Sequence, residues 1–321
     1  MFIAYTSILF ILFFILSSFL GGNSSDKARQ PFFGRSYAHR GLFTKDQSIP
    51  ENSLAAFAAA VHANYGITAD VQITKDRRIV VFNDGHLTRM CGVKLKVEEL
   101  TYEELQGYTL AGSDETIPLL SDLLAVVDGQ VPIILYLRPG TQNSLLCKIT
   151  SEMILAYDGP LAVASMAPGI VGWFKDHKQT KHILRGSIAA PRSYFPQGND
   201  LHYFLISHGF LNATSRPQFI IWPDEPRNLT IRGACYTAMA VAGTIEGPDF
   251  ERHMETNDML VFEHGTPPVQ YKEPKDYAAM IAEYDKRRNQ LKDPNAGLID
   301  AYLDATLEDE AEENEQPKDG Q

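Results

Sequence analysis

The sequence has few cysteines, three in 321 residues, and they lie far apart at Cys91, Cys147 and Cys235. An odd number without a C-x-x-C pair excludes a disulfide framework and gives no zinc motif. P-loop, G-x-G-x-x-G and G-x-S-x-G signatures are also lacking in the strand-turn-helix context they need. The composition, 44% hydrophobic and 21% charged, is that of an ordinary globular protein.

A basic surface is lacking as well. The net charge is −11, and the last 22 residues hold nine acidic residues against one lysine, so most of this charge belongs to the tail. Without a basic patch or stripe, a nucleic-acid partner held through its phosphates is not expected.

Charged side chains are absent from Phe2 to Gly22. As a helix, the 19 residues from Phe2 to Leu20 would rise roughly 28 Å, close to the hydrocarbon thickness of a bilayer. No Lys or Arg precedes the run and Ser-Phe-Leu-Gly-Gly is a poor cleavage site, so we predict an uncleaved transmembrane anchor at 1–22. A cleaved signal peptide is the alternative.

The first basic residues, Lys27, Arg29 and Arg35, follow this run. The positive-inside rule therefore predicts a single-pass membrane protein with its body on the cytoplasmic side, joined through a juxtamembrane linker at 23–35. A secreted or cell-surface location is the alternative.

Short apolar runs alternate with amphipathic stretches along the body of the chain, which indicates repeated βα units. Eight such units predict a TIM (β/α)8 barrel over 36–292, and a doubly wound open sheet is the alternative. The eight predicted strands are Ser36–His39, Ile67–Gln72, Pro132–Leu137, Leu161–Ser165, His182–Ser187, Gln218–Trp222, Ala234–Met239 and Met259–Phe262.

Three further features complete the organisation. A helix from Pro118 to Gly129 is expected to bury Leu120, Leu123, Leu124 and Val127. A strand-turn-strand pattern followed by a capping box at Thr101-x-x-Glu104 predicts an insertion at about 73–112, after the second strand. A final amphipathic helix carries Tyr277, Met280, Ile281 and Tyr284, and an acidic, disordered tail is predicted for 293–321.

In a barrel, reactive side chains follow the carboxyl ends of the strands. The first strand ends in His39-Arg40-Gly41, which offers a proton-transfer group beside an anion-binding guanidinium. Alone, the tripeptide also fits a strand-end turn with a solvated arginine.

Several further motifs occur in order with this tripeptide, and together they resemble the glycerophosphodiester phosphodiesterase family over roughly residues 36–264. The motifs are Ala38-His39-Arg40-Gly41, Pro50-Glu51-Asn52-Ser53, Asp70-Val71-Gln72-Ile73-Thr74-Lys75-Asp76, Val80-Val81-Phe82-Asn83-Asp84, Leu87-x-Arg89, Ile117-Pro118-Leu119-Leu120, Ser165-Met166-Ala167-Pro168, Arg216-Pro217-Gln218-Phe219 and Val261-Phe262-Glu263.

The resemblance implies a TIM barrel that hydrolyses glycerophosphodiesters to an alcohol and glycerol 3-phosphate. It implies a divalent metal, Ca²⁺ or Mg²⁺, held by a Glu-x-Asp pair and a further Glu, with two histidines that move protons. His39 and Arg40 occupy matching positions, and Asp70 retains the second residue of the pair.

Three positions depart from this pattern. Thr68 and Tyr136 stand where the family has metal-binding carboxylates, and Asn83 stands where it has its second histidine. Threonine and tyrosine cannot replace an anionic ligand, and asparagine cannot shuttle a proton. Asp84 is retained, and Arg138 replaces a lysine with its positive charge kept.

Other groups could compensate. His86 could supply the missing acid and Glu51 could lend the metal a carboxylate, while Glu263 could contact a ligand at the rim or partner a basic side chain.

Two functions follow. The first is a membrane-anchored phosphodiesterase of glycerophospholipid metabolism whose metal-dependent activity is weak or absent because its catalytic residues are degraded. The second is a non-catalytic barrel that binds a phosphorylated headgroup or a protein partner.

Overall fold

The computed structural model describes residues 12–13, 16, 19–195 and 200–273. Eight parallel strands form a closed barrel in the order β1-β2-β4-β5-β6-β7-β8-β9, because β1 pairs in parallel with both β2 and β9. The closure confirms the predicted TIM-type barrel and excludes the open sheet. The strands are β1 (Ser36–His39), β2 (Gly66–Ile73), β3 (Ile79–Val81), β4 (Ile133–Leu137), β5 (Leu161–Ser165), β6 (Leu184–Ile188), β7 (Phe219–Trp222), β8 (Met239–Glu246) and β9 (Met259–Glu263).

Apart from α1, which precedes β1, the helices lie between strands along the chain and surround the barrel. In the described chain they are α1 (Asp26–Arg29), α2 (Leu54–His62), α3 (Thr88–Cys91), α4 (Tyr102–Leu105), α5 (Leu120–Val127), α6 (Asn143–Ala156), α7 (Pro168–Asp176), α8 (Asp200–Ser207), α9 (Asn212–Ser215), α10 (Leu229–Ala234) and α11 (Phe250–Thr256), with 3₁₀ turns at Val97–Glu99 and Arg192–Tyr194.

Most of the predicted elements are present, but the strand predicted at Ala234–Met239 was wrong. Asn228 caps a short helix there by accepting a hydrogen bond from the backbone N–H of Ile231, so α10 occupies 229–234. The strand starts only at Met239 and continues to Glu246.

Helix α5 buries all four apolar side chains predicted for it. It starts at Leu120 instead of Pro118, because Asp122 accepts a hydrogen bond from the Leu119 backbone N–H at 3.1 Å and so fixes the first turn.

Two glycines inside the barrel make room for aromatic rings on the neighbouring strands. A Cβ on Gly66 would collide with the ring of Tyr37, and one on Gly186 would collide with the ring of Phe219. Both rings are fully buried, so these glycines leave the space in which the large side chains fill the barrel.

The predicted insertion is a small unit with its own apolar core. Strand β3 pairs antiparallel with β2, and the capping box at Thr101 and Glu104 starts α4. The core residues of this unit are Val80, Phe82, Leu87, Met90, Val97, Leu105, Leu110 and Ile117.

Residues 23–35, predicted as a linker, contact the amino-terminal end of the barrel. Arg29 donates to the carbonyl of Thr237 at 2.7 Å, just before β8, and Phe32 is buried among the side chains inside the barrel. Tyr37 donates from its hydroxyl to the Phe32 carbonyl at 2.9 Å. The segment therefore packs against the base of the barrel.

Most of the predicted anchor lies outside the described residues, as do the helix of Tyr277–Tyr284 and the acidic tail. Within the described part of the chain, no helix has both the length and the apolar composition needed to cross a bilayer.

Candidate active site at the barrel mouth

The carboxyl ends of the parallel strands bring the predicted site residues together. His39 ends β1, Thr68 and Asp70 lie on β2 with side chains on the same side of the strand, Tyr136 lies on β4, and Glu263 ends β9. We call this end of the barrel the mouth.

The turn after β1 directs Arg40 into the mouth. Arg40 and Gly41 both have positive φ, 58° and 82°, and the Arg40 N–H donates to the Thr68 carbonyl at 2.8 Å. A Cβ on Gly41 would lie 2.7 Å from the backbone of Ala56, so only glycine fits this approach to α2.

Asp70 is 1% exposed and lies between positive groups. Its Oδ2 accepts from Arg40 Nε at 3.2 Å and from Asn52 Nδ2 at 3.3 Å, and Arg138 Nη1 lies 3.8 Å from Oδ1. Oδ1 is buried and has no hydrogen-bond partner. Burial raises the pKa of Asp70, and Arg40 and Arg138 oppose that rise.

Glu51 is also held by arginines. Its Oε1 accepts from Arg40 Nη1 at 2.7 Å, and Arg89 forms a two-pronged contact with both carboxylate oxygens at 2.6 and 2.8 Å. The carboxylate of Glu51 is therefore shared between two guanidinium groups.

On its Nδ1 side His39 hydrogen-bonds a neutral side chain, and an aromatic ring lies beside it. Its Nδ1 shares a 2.8 Å hydrogen bond with the Thr68 hydroxyl, and the Tyr136 ring lies 5.7 Å away between centroids. Burial, followed by the charges of Arg40 and Arg138, lowers the pKa of His39 well below its usual value. His39 is therefore a neutral imidazole at neutral pH.

These donors do not fit a divalent metal of the kind that the resemblance implies. Among the described residues, no group of three or more His, Cys, Asp and Glu side chains could hold such an ion. A cation at the free Oδ1 of Asp70 would meet the positive charge of Arg138, and Thr68 and Tyr136 offer neutral hydroxyls in place of carboxylates. Glu51 does not relieve this shortage, because arginines occupy its oxygens.

Asn83 and Asp84 lie at the edge of the mouth. The Asn83 amide donates to Asp84 Oδ1 at 2.6 Å, and Asp84 Oδ2 accepts from Arg89 Nε at 2.7 Å. His86 is exposed and its backbone bridges to Lys96 within the insertion. Asp84 therefore orients Asn83 and Arg89.

Glu263 lies beside His39 at the end of the neighbouring strand, with 3.7 Å between Oε1 and Nε2. Burial raises the pKa of Glu263 to about 7, with the neighbouring carboxyl of Glu246 adding to the rise and Arg40 opposing it. The pKa of His39 is lowered, whereas the pKa of Glu263 is raised. We therefore interpret the contact near pH 7 as a contact between two neutral groups in a large fraction of the molecules, and not as a permanent ion pair.

Three residues that contact the site had no role predicted from the sequence: Asn52, Arg89 and Glu246. Asn52 lies in the Pro-Glu-Asn motif, and its amide contacts both the side chain and the backbone of Asp70. Arg89 lies in the Leu-x-Arg motif, but its pairing with Glu51, 38 positions earlier, has no local signal. Glu246 was assigned to no strand, whereas β8 and β9 pair it with Glu263.

The pKa of Glu263 predicts a specific pH dependence of stability. The folded state holds this proton up to about pH 7, whereas the unfolded carboxyl releases it near its ordinary value of 4.5. The stabilisation is therefore complete below pH 4.5 and is lost as the pH rises through 7. We expect Glu263→Gln to remove this part of the pH dependence, measured as the free energy of unfolding in urea between about pH 5 and pH 8.

Glu152→Gln is the matched control, because Glu152 is exposed on α6, and it should keep the wild-type pH dependence. A Glu263→Gln curve parallel to the wild type across this range would contradict the assignment.

Comparisons with known proteins agree with the fold and with the motif order. Residues 39–164 match the model of the glycerophosphoryl diester phosphodiesterase family. A glycerophosphodiester phosphodiesterase of Bacillus altitudinis is 32% identical over 163 residues, 46% of this chain and 63% of that protein. Lysophospholipase D GDPD1 of Mus musculus is 31% identical over 144 residues, 41% of this chain and 44% of that protein.

Among solved structures, a phosphodiesterase of Oleispira antarctica in complex with the product sn-glycerol-3-phosphate has a TM-score of 0.58 at 18% identity, over 78% of this chain and 97% of that chain. At this identity the likeness concerns the fold. This chain spans less than two thirds of the length of the curated relatives described above. Over residues 39–164 the chain is therefore similar to the glycerophosphoryl diester phosphodiesterase family, and its barrel agrees with that likeness.

Proposed function

We propose that the mouth binds the phosphate group of a glycerophosphodiester or a phospholipid headgroup, and that metal-dependent hydrolysis there is weak or absent. The observation that carries the proposal is the surrounding of Asp70 by Arg40 and Arg138. Arg40 also pairs with Glu51, whereas Arg138 makes only a 3.8 Å contact with Asp70, so its guanidinium can attract a phosphate oxygen and would repel a divalent cation at Asp70 Oδ1.

The relatives support the choice of ligand. The Oleispira antarctica structure contains sn-glycerol-3-phosphate, and the Bacillus altitudinis protein is named for glycerophosphodiesters. In this chain Arg138 is the more accessible of the two arginines, with 32% of its side chain exposed against 19% for Arg40. Arg138 can therefore contact a bound phosphate directly, while Arg40 stays engaged with Asp70 and Glu51.

Positive charge at Arg138 should determine affinity. We expect Arg138→Gln to weaken the binding of glycerol 3-phosphate, measured by calorimetry without added metal, on the order of tenfold, as for the loss of one charged hydrogen bond. Arg138→Lys, which keeps the charge, should retain part of the affinity.

Arg232→Gln is the matched control, since Arg232 is exposed on α10 away from the mouth. Equal affinities for wild type and Arg138→Gln would refute binding at this site.

The three departures from the family pattern should explain a low metal-dependent rate. We expect the triple variant Thr68→Glu, Asn83→His, Tyr136→Glu to gain Ca²⁺ or Mg²⁺ affinity, because two carboxylates join Asp70, and to gain hydrolysis of glycerophosphocholine. The measurements are metal titration by calorimetry and release of glycerol 3-phosphate with and without metal, beside a melting curve that checks folding.

The wild-type chain should show no stimulation by Ca²⁺, Mg²⁺ or Mn²⁺ in the same assay. Metal-stimulated turnover of the wild type that His39→Ala abolishes would establish an active phosphodiesterase instead.

We also propose that residues 1–22 anchor the protein in a membrane with the barrel on the cytoplasmic side. The uncharged run from Phe2 to Gly22 and the basic residues Lys27, Arg29 and Arg35 behind it support this arrangement. A secreted or cell-surface barrel is the alternative.

Protease protection distinguishes the two locations. In sealed vesicles with their cytoplasmic face outward, we expect protease to digest the barrel without detergent, because the body lies on that face. A barrel that becomes accessible only after detergent is added would place it on the opposite side.

A further inference from the structure

Helix α8 is rich in apolar side chains, yet Ser207 is the only residue of this helix that is buried. Its eight residues include Leu201, Tyr203, Phe204, Leu205 and Ile206. Leu201 is 68% exposed and Phe204 is 46% exposed. A helix that packs on a barrel normally buries its apolar stripe, so α8 is unusual in this fold.

The exposed apolar surface continues beyond α8. The rings of Phe204 and Phe210 lie 6.1 Å apart, and Phe210 is 39% exposed. Asn228 donates to the carbonyl of Ser207 at 2.8 Å, which places the end of α8 against the start of α10, where Leu229 is 49% exposed. We call Leu201, Phe204, Phe210 and Leu229 the apolar flank.

The amino-terminal segment reaches the barrel beside this flank. Leu20 packs in one apolar cluster with Ile231 and Ala234 of α10. The Gly22 N–H donates to the carbonyl of Pro217 at 2.6 Å, just before β7. The uncharged run from Phe2 to Gly22 therefore ends against α10, on the side of the barrel that carries the flank.

The last described residues of that run include exposed apolar side chains. Leu12, Leu16 and Phe19 are 48%, 59% and 57% exposed. Spacings of four and three residues place such side chains on one face of a helix. The described part of the run thus carries exposed apolar side chains close to Leu20, which packs against α10.

We infer that the apolar flank rests on the same bilayer that receives the amino-terminal run, so that the barrel lies on its side along the membrane. The inference rests on the proposed membrane anchor and is independent of what the mouth binds. Exposed Leu and Phe side chains next to an anchor gain free energy by entering the interfacial layer, and Tyr203 fits the aromatic belt there.

The side-on orientation follows from the length of the flank. Gly22 and Ala234 mark the amino-terminal base of the barrel, since they lie against the residues that precede β7 and β8. Helix α8 follows β6, whose carboxyl end belongs to the mouth. A surface that extends from the base toward the mouth can contact a plane along its length only when the barrel axis runs along that plane.

The test uses the full chain in liposomes that contain a photoreactive diazirine phospholipid. After illumination, mass spectrometry locates crosslinked lipid on the peptides. We expect crosslinks on 200–211 and 229–236 on the order of tenfold above those on 93–96 and 143–156. The latter two peptides contain Leu95 and Leu155, which are also exposed apolar residues, 37% and 45%, but belong to the insertion and to α6 instead of to α8 or α10.

Two double variants distinguish lipid contact of the flank from the general exposure of apolar side chains. Leu201→Glu, Phe204→Glu should reduce lipid crosslinking at 200–211, whereas Leu95→Glu, Leu155→Glu should leave it unchanged. Melting curves in detergent check that both variants fold.

Crosslinks confined to residues 1–22 would overturn the inference while leaving the anchor intact. The inference would also be overturned if the flank peptides were shielded from solvent in detergent and became accessible to solvent after truncation at residue 273. The chain's own tail would then cover the flank. Binding of glycerol 3-phosphate at the mouth is measured separately, so its failure would be distinguishable from either result.

Discussion

The buried contact between Arg40 and Asp70 determines what the mouth can do. Asp70 is nearly inaccessible to water, and an isolated carboxylate in such a place would lose hydration free energy on the order of several kcal/mol. Arg40 offsets that loss at 3.2 Å, and Arg138 adds positive charge from the end of β4. Arginine side chains of the protein itself therefore compensate the charge of Asp70.

Two of the departures from the family pattern, at Thr68 and Tyr136, are consistent with this arrangement. A glutamate at position 68 would stand next to His39 and Arg40, whereas Thr68 supplies a neutral hydrogen bond to the imidazole. Tyr136 is buried beside the same imidazole, and burial raises the pKa of its hydroxyl, so it stays protonated. Thr68 and Tyr136 thus form a neutral surface directly beside the charged cluster around Asp70.

The sequence predicts the barrel well where local patterns carry the information, and strands β1 and β5 have the predicted bounds. The error at Ala234–Met239 arose because an apolar run before a strand has the same local pattern as the strand itself. Motif order identified the members of the site, but the partners of Glu51 approach it from two different elements and leave no sequence signal. Likewise, Glu263 acquires its raised pKa from burial and from Glu246 on the neighbouring strand, which no spacing reveals.

The packing of Leu20, Gly22 and Phe32 has a practical consequence for preparing the protein. Removing residues 1–22 to obtain the barrel alone would remove Leu20 from its apolar contacts with Ile231 and Ala234. It would also remove the hydrogen bond that the Gly22 N–H donates to the Pro217 carbonyl. The fragment would thus carry a newly uncovered hydrophobic cleft, and the segment that holds Phe32 in place would be less firmly attached. Any self-association of the fragment would then result from this newly exposed apolar surface and would not be a property of the native molecule.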